Sequence, residues 1–529
     1  MGKTNRYTLF LFSSLLMCIV LYIIYPHYKY YLDPDATSYL TIAARYATGD
    51  FAHAINGYWS PWSCWLTALL IKSGISPIPS SIIINTLGAI GFVGIANSFF
   101  IKFDLDHFLQ SGLNIALALF LCFAIFWQSF ADLWECFFLL SALRLLIVDK
   151  FSTKPLLWVL AGIIGSLAYF AKAYSFPFFI LSSIVCTWVI TKGSMKQWLV
   201  ISSAIVGTMI IFSMPWIYLL HNKYNIWTTA TAGSLNLSWY LIGHPHWKPE
   251  YKYFIPPTYP DSPYYWEDPY FANADTPHFW NSWHLFVVQL LRLIYNFYKL
   301  IVSLLQVSIF FPLIIWVAIK NYSNKIHSVT EVAKNKVITL SFLLFPIGYL
   351  LINFESRYLW YMIPIGMVLG SMVLQANRYK HLSSKLFKVL FFISFLIFPF
   401  YQMVKLYDSG KPEFTLAQKF KELGFHGNFT SNSLPPRMAK LAYFSGSQYY
   451  YYVPLDPTKQ TNSKYYMDTI LSDLQKTHVR YYIDYKDLPG NTYSALNFAT
   501  TDFLNRGFKP LFEMDNIAVY DLSERQISK

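Results

Sequence analysis

Apolar residues in this chain gather into long runs instead of alternating with polar ones. Twelve runs stand out: Leu9–Tyr25, Trp62–Ile71, Ser80–Phe100, Leu113–Phe130, Ala131–Val148, Leu156–Ala171, Tyr174–Ile190, Trp198–Leu220, Leu300–Ile319, Val337–Asn353, Tyr358–Leu374 and Leu386–Tyr401. A helix needs about 20 apolar residues to cross about 30 Å of hydrocarbon. Trp62–Ile71 has only ten residues and reads as interfacial or re-entrant. The pattern predicts a polytopic α-helical membrane protein with about eleven spans, in a range of about eleven to thirteen. The parity of residues 60–112 is the point at which the count turns.

Between and after the runs lie three polar stretches. Residues 26–61 form a first outer loop. Residues 221–283 form a large outer loop whose "DSPYYWEDPY" is too aromatic for disorder and too proline-rich for a long helix. Residues 406–529 have the composition of a soluble domain. There "FTLAQKFKELG" reads as an amphipathic helix ended by Gly424, "VRYYIDY" and "NIAVYDL" as strands, and "TTDFLNRG" as a helix ended by Gly507. The expected organisation is a membrane module over residues 1–405 and a small extramembrane α/β domain over residues 406–529.

Composition adds the orientation. Only 13% of the 529 residues are charged, and mean hydropathy is +0.35. The net charge of +13 sits largely in alternate short loops. Lys150 and Lys154, Lys192 and Lys196, Lys320, Lys325, Lys334 and Lys336, and Arg378, Lys380 and Lys385 mark those turns as cytoplasmic. Lys3 and Arg6 put the N-terminus on the same side, and Pro26 and His27 in place of a small-x-small site argue against a cleaved signal. The excess charge therefore reports topology and anionic headgroups, not nucleic acid. The three polar stretches fall outside, with a bacterial inner membrane as the expected setting. All five cysteines lie in apolar segments and none follows Cys186, so the outer loop and the tail form no disulfides.

Candidate chemistry starts at "DPDATSYLTIAARYATG". Asp33 before Pro34 has the form of an N-cap, and the helix it opens runs to Thr48 before Gly49. Asp35 lies in the first turn with Tyr39 one turn on, while Ala36, Leu40, Ala43 and Ala47 offer an apolar face to the membrane surface. Trp59, Trp62 and Trp65 fit an interfacial belt. Cations are few on the outer rim: Arg45, Lys72, Lys172 and Arg357. They either snorkel to headgroups or converge on a phosphate. Asp132 and Glu135 sit at an outer hairpin tip, where they either join Asp35 around a divalent cation or order the cleft, and Asp132 has helix capping as its simpler role. Glu355 adjoins Arg357 in "NFESRYLW". His244 and His246 form an H-x-H, a weak metal signal. No phosphate-binding glycine loop, dinucleotide fingerprint or G-x-S-x-G elbow occurs.

Together "DPDATSY", "GDFAHAINGYWSPWSCWL", "FADLWE", "YFAKAY" and "ESRYLWYMIP" resemble the GT-C superfamily of membrane glycosyltransferases, in the style of bacterial protein O-mannosyltransferases and the lipid A aminoarabinose transferase. The likeness covers roughly residues 1–370 and implies an inverting transfer from a polyprenyl-phosphate sugar to a hydroxyl of a lipid, glycan or protein. It implies Asp35 as catalytic base, with Asp33 as the competing assignment. It implies Lys172 and Arg357, with Arg45, as the phosphate-binding cations, and Asp132, Glu135, Tyr39 and Glu355 as cleft, acceptor or metal residues. The family often has two adjacent acids where this chain has Asp-Pro-Asp, which leaves the base and the use of a metal open. No other cofactor is implied. A transporter or flippase, or a ligase or polymerase, for polyprenyl-linked glycans is the alternative.

Overall fold

The structure, a computed structural model, describes residues 4–127, 130–243, 255–272, 276–323, 329–375, 384–452, 472–474, 476–485, 507–514 and 516–523. Among the described residues, twenty α-helices and five strands run along the chain. They are α1 (Thr4–Tyr28), α2 (Pro34–Thr48), α3 (Phe51–Ala54), α4 (Pro61–Lys72), α5 (Pro77–Lys102), α6 (His107–Phe126), α7 (Asp132–Leu146), α8 (Pro155–Ala171), α9 (Ser175–Ile190), α10 (Met195–Tyr224), α11 (Ala232–Ile242), α12 (Trp283–Val307), α13 (Phe311–Ser323), α14 (Val329–Leu344), α15 (Ile347–Leu350), α16 (Met362–Gln375), α17 (Lys385–Ser394), α18 (Ile397–Lys405), α19 (Lys411–Glu422), β1 (Asn428–Ser431), α20 (Pro435–Ser445), β2 (Gln448–Tyr452), β3 (Tyr481–Tyr485), β4 (Pro510–Met514) and β5 (Ile517–Asp521). Among the described residues, Tyr7–Tyr28, Pro77–Lys102, His107–Phe126, Met195–Tyr224, Trp283–Val307 and Lys385–Lys405 are long and apolar enough to cross a membrane, and four shorter apolar helices accompany them. The chain is a polytopic helical membrane protein. It divides into two compact units.

The first unit holds Met1–Lys29, Ile42–Gly243 and Asp275–Tyr407. One end of its bundle is tied by charge: Asp149 takes Lys102 at 3.1 Å and Lys334 at 2.8 Å, and Asp106 takes Lys388 at 2.6 Å. At the other end, the Ser63 hydroxyl donates to the Phe130 carbonyl, and the Ala173 amide donates to Ser60 Oγ at 3.1 Å. α4 starts there. α5 then runs parallel to α7, with Gly88 against the ring of Trp134 and Gly91 against that of Phe137, so close that a Cβ at either glycine would stand 3.0 Å from them. α5 ends at Lys102 beside Asp149, so α4 begins and ends at one end of the bundle. The short tryptophan-rich run does not cross, and the parity of residues 60–112 follows.

Two expectations change. The run Leu300–Ile319 is not one helix: α12 begins as early as Trp283, and a break separates it from α13. Further breaks divide α14 from α15 and α17 from α18. The hydroxyls of Ser308 and Ser394 bond each other at 2.6 Å, and Tyr174 OH donates to the Phe345 carbonyl, so groups freed at the breaks find partners. Nor are the tryptophans a lipid belt. Trp62 packs on Trp134 and Phe138, Trp65 packs on Phe170 and Trp216, and Trp59 is buried.

The second unit joins Tyr30–Thr41 and His244–Ala274 to Asp408–Lys529, so it takes in more than the tail. Its mixed sheet has the order β2-β1-β3-β5-β4. β1 is parallel to β2 and β3, while β5 is antiparallel to β3 and β4. α20 provides the crossover from β1 to β2, and the buried Tyr449, Tyr482, Val519 and Tyr520 belong to the core. α19 ends before Gly424, as expected; the expected helix over residues 500–507 lies almost wholly outside the described residues. β2 is an edge strand whose exposed backbone is covered. The Tyr449 amide donates to the Pro263 carbonyl at 2.7 Å, and the Ile255 amide donates to the Tyr450 carbonyl at 3.2 Å. Tyr30 stacks on Phe414 with ring centroids 4.2 Å apart. Gly410 makes that contact feasible: it sits at φ +88°, and a Cβ there would meet the Tyr30 carbonyl oxygen at 1.9 Å.

Candidate functional site

In the first unit, the end of the bundle opposite Asp149 carries a charged cluster. Lys172 follows the last residue of α8, pairs with Asp132 of α7, and reaches Glu135 one turn on at 3.5 Å. Arg357, after the α15 turn, holds Glu355 at 2.8 Å and stands 3.8 Å from Asp132. Ser175 donates to the second oxygen of Glu135 at 3.0 Å. Lys299 of α12 donates to Asn353 at 2.9 Å. Lys172, Arg357 and Lys299 thus face Asp132, Glu135 and Glu355, three cations against three carboxylates. Asp132 and Glu135 are nearly inaccessible, with side chains 3% and 2% exposed. Burial alone would push the Lys172 ammonium down, but the Asp132 and Glu135 carboxylates outweigh it and hold it above its ordinary value.

Beneath the cations lies a ladder of tyrosines. Tyr174 stacks on Tyr349 at 3.8 Å, and Tyr349 stacks on Tyr358 at 4.1 Å. Lys172 Nζ lies 4.2 Å from the Tyr358 ring centre and the Arg357 guanidinium 5.5 Å from it. The cluster therefore brings Lys172, Arg357, Asp132, Glu135 and Glu355 together. Arg45 is paired with Asp50 at 2.8 Å, and Asp50 also takes His53. Burial opposes ionisation of Asp50, yet His53 and Arg45 hold its carboxyl below the usual range.

In the second unit, Asp33 caps α2: the Ala36 amide donates to Asp33 Oδ1 at 2.6 Å. Asp33 is buried, and it lies in the field of Lys440, which Glu413 also holds at 3.8 Å. Asp35 is half-buried and accepts from the Trp266 indole N–H at 3.3 Å. Ser38 donates to the Trp266 carbonyl at 3.2 Å, and Tyr264 OH donates to the Pro34 carbonyl at 3.0 Å. Tyr39 is buried, as are Ala36, Leu40 and Ala43. The face expected to lie on the membrane surface is thus packed inside protein.

Among the described residues, no group of three or more His, Cys, Asp or Glu is placed to hold a metal. The oxygens of Asp132 and Glu135 are engaged by Lys172, Arg357 and Ser175, so as arranged they do not fit a divalent cation. His244 and His246 lie outside the described residues. Sequence reasoning missed Trp266, Tyr264, Tyr349, Tyr358, Lys299 and Ser175. Tyr358 follows Arg357 directly, and "YYWED" had the composition of a site without the spacing of one.

No protein-family model and no curated protein sequence matches the chain. Solved structures do. ArnT from Cupriavidus metallidurans bound to undecaprenyl phosphate is 10% identical with a TM-score of 0.53, over 98% of this chain and 98% of that one. Its apo form is 11% identical with the same TM-score, over 99% and 98%. The Archaeoglobus fulgidus oligosaccharyltransferase complex with zinc and sulfate is 11% identical with a TM-score of 0.51, over 90% of this chain and 67% of that one. The chain has a GT-C-like fold.

Proposed function

From this GT-C-like fold, we propose that the protein is an integral-membrane inverting glycosyltransferase. It moves a sugar from a polyprenyl-phosphate donor to a hydroxyl acceptor on the outer side of the membrane. The acceptor oxygen forms a bond to the anomeric carbon as that carbon's bond to the phosphate oxygen breaks. The phosphate leaves with the bonding pair, and the acceptor proton passes to the Asp35 carboxylate. Lys172 and Arg357 hold the phosphate and offset the charge it gains, which removes the need for a general acid. The observation that carries this reading is the pair of cations, Lys172 and Arg357, seated over Tyr358 at one end of the bundle. The undecaprenyl phosphate named with the similar ArnT supports the donor class.

The test uses purified protein in nanodiscs with a panel of polyprenyl-phosphate sugars, and the acceptor comes from the glycolipids and glycans that change in a deletion strain. Asp35→Asn is expected to bind the donor normally and to lose transfer by about a hundredfold or more, as general-base variants do. Full turnover by Asp35→Asn removes the base assignment. Movement of the intact lipid-linked sugar across proteoliposomes without transfer favours the transporter.

A further inference from the structure

Asp35 is a first-turn residue, and a carboxylate there ordinarily swings freely into solvent. Here three hydrogen bonds stitch one helical turn to the loop. Trp266 donates to Asp35 at 3.3 Å, Ser38 donates to the Trp266 carbonyl at 3.2 Å, and Tyr264 donates to the Pro34 carbonyl at 3.0 Å. Burial raises the Tyr264 phenol well above its ordinary value, so it stays a donor across the working range. The loop does not hold this shape alone. Thr258 donates to the Tyr265 carbonyl at 2.9 Å, and Tyr259 donates to the buried Asp268 at 2.9 Å. Tyr449 and Gln448 of β2 donate to the carbonyls of Pro263 and Ser262 at 2.7 and 3.3 Å.

We infer that Trp266 is a positioning residue for Asp35, and that the edge strand of the C-terminal sheet holds the loop that delivers it. The inference rests on Asp35 being the base. It gives the C-terminal domain a part in the reaction: β2 fixes the loop, the loop fixes the indole, and the indole fixes the rotamer and charge of one carboxylate. A loop tryptophan that merely packed would not need its carbonyl and its N–H both bonded within one turn of α2.

Trp266→Phe keeps most of the ring and loses the N–H. It is expected to lower kcat about tenfold with the donor KM unchanged, the scale of one hydrogen bond to a charged group. The acid limb of the kcat profile is expected to rise by up to about one pH unit, since the lost donor favoured the ionised carboxylate. Among the described residues, Tyr264 interacts electrostatically with Asp35, and Asp33, two residues before it, lies in the field of Lys440; none of these is altered. If Trp266→Phe folds poorly, Ser38→Ala releases the Trp266 carbonyl without touching the ring and is expected to move the same limb by less. An unmoved limb and normal kcat in a folded variant, with Asp35→Asn inactive, overturn the role of Trp266 alone. Full turnover by Asp35→Asn overturns the role of Trp266 together with the base assignment.

Discussion

At the scale of the residue, the proposed phosphate site is already occupied by carboxylates. Arg357 Nε is engaged by Glu355, whose side chain is 36% exposed, whereas Asp132 and Glu135 are sealed in. A lipid phosphate that claims Arg357 must therefore displace a partner, and the exposed Glu355 yields most readily. Glu355→Gln removes the competing charge and is expected to tighten donor binding about fivefold, the equivalent of roughly 1 kcal/mol for a half-exposed pair. Titration of the purified variant with a polyprenyl phosphate checks this, and weaker binding would mean that Glu355 orients Arg357 instead of competing with the phosphate. Lys172 cannot be deleted so simply. Its loss would take the nearest cation from two buried carboxylates, at a cost of about 3–5 kcal/mol of stability. Lys172 and Arg357 were legible in the sequence because cations are scarce on the outer side. Asp132 and Glu135 were legible as cleft or metal residues but not as partners of Lys172, since that pairing is made between helices and leaves no mark on local spacing.

At the scale of the element, periodicity foretold most helices and misplaced one. The first half of α12 fell between the predicted loop and the predicted run, because Gln289, Arg292, Asn296 and Lys299 interrupt its apolar residues. Their spacing of three and four puts them on one face. In the structure that face turns inward: Gln289 and Asn296 donate to the carbonyls of Leu351 and Leu350 at 2.8 Å, while Leu291, Ile294, Tyr298 and Ile301 are exposed. A helix polar toward its neighbours and apolar toward its surroundings suits a bilayer, where orphaned carbonyls must find donors. The breaks themselves were not legible, since an apolar run looks alike whether or not the helix through it is continuous. They carry no charged side chain at 308–310, 345–346 or 395–396. One glycine makes the α15 turn possible. A Cβ on Gly348 would stand 2.5 Å from the Tyr174 ring, and Tyr174 supports the stack under Lys172. Gly348→Ala is expected to cost about 1–3 kcal/mol by overpacking and to weaken donor binding along with thermal stability. A shifted thermal midpoint with unaltered affinity would separate the tyrosine ladder from the site.

At the scale of the whole molecule, the orientation is decided by charge, and it can be tested against the fold. Lys102, Lys334 and Lys388 converge on Asp149 and Asp106 at one end of the first unit. Lys150 and Lys154 lie in the same turn as Asp149, so the positive-inside rule predicts that this end is cytoplasmic. In that orientation Lys172 and Arg357 would face outward, where they would be useful only to an enzyme whose donor is presented on that side. Lys3 and Arg6 share the cytoplasmic side only if α4 does not cross, because a crossing would invert everything before it relative to everything after. Thr153 and Ser73 are both exposed, the first beside Asp149 and the second just past the end of α4. Cys64, Cys122, Cys136 and Cys186 are buried, so Cys18→Ser alone gives a quiet background. In right-side-out vesicles, a membrane-impermeant maleimide is expected to label Ser73→Cys at once and Thr153→Cys only after the membrane is opened. Thr48→Cys, exposed and before α4, is expected to label with Ser73→Cys, and protection of Thr48→Cys alone would make α4 a span after all; protection of Ser73→Cys with labelling of Thr153→Cys would put Lys172 and Arg357 in the cytoplasm, where a donor on the outer leaflet cannot reach them.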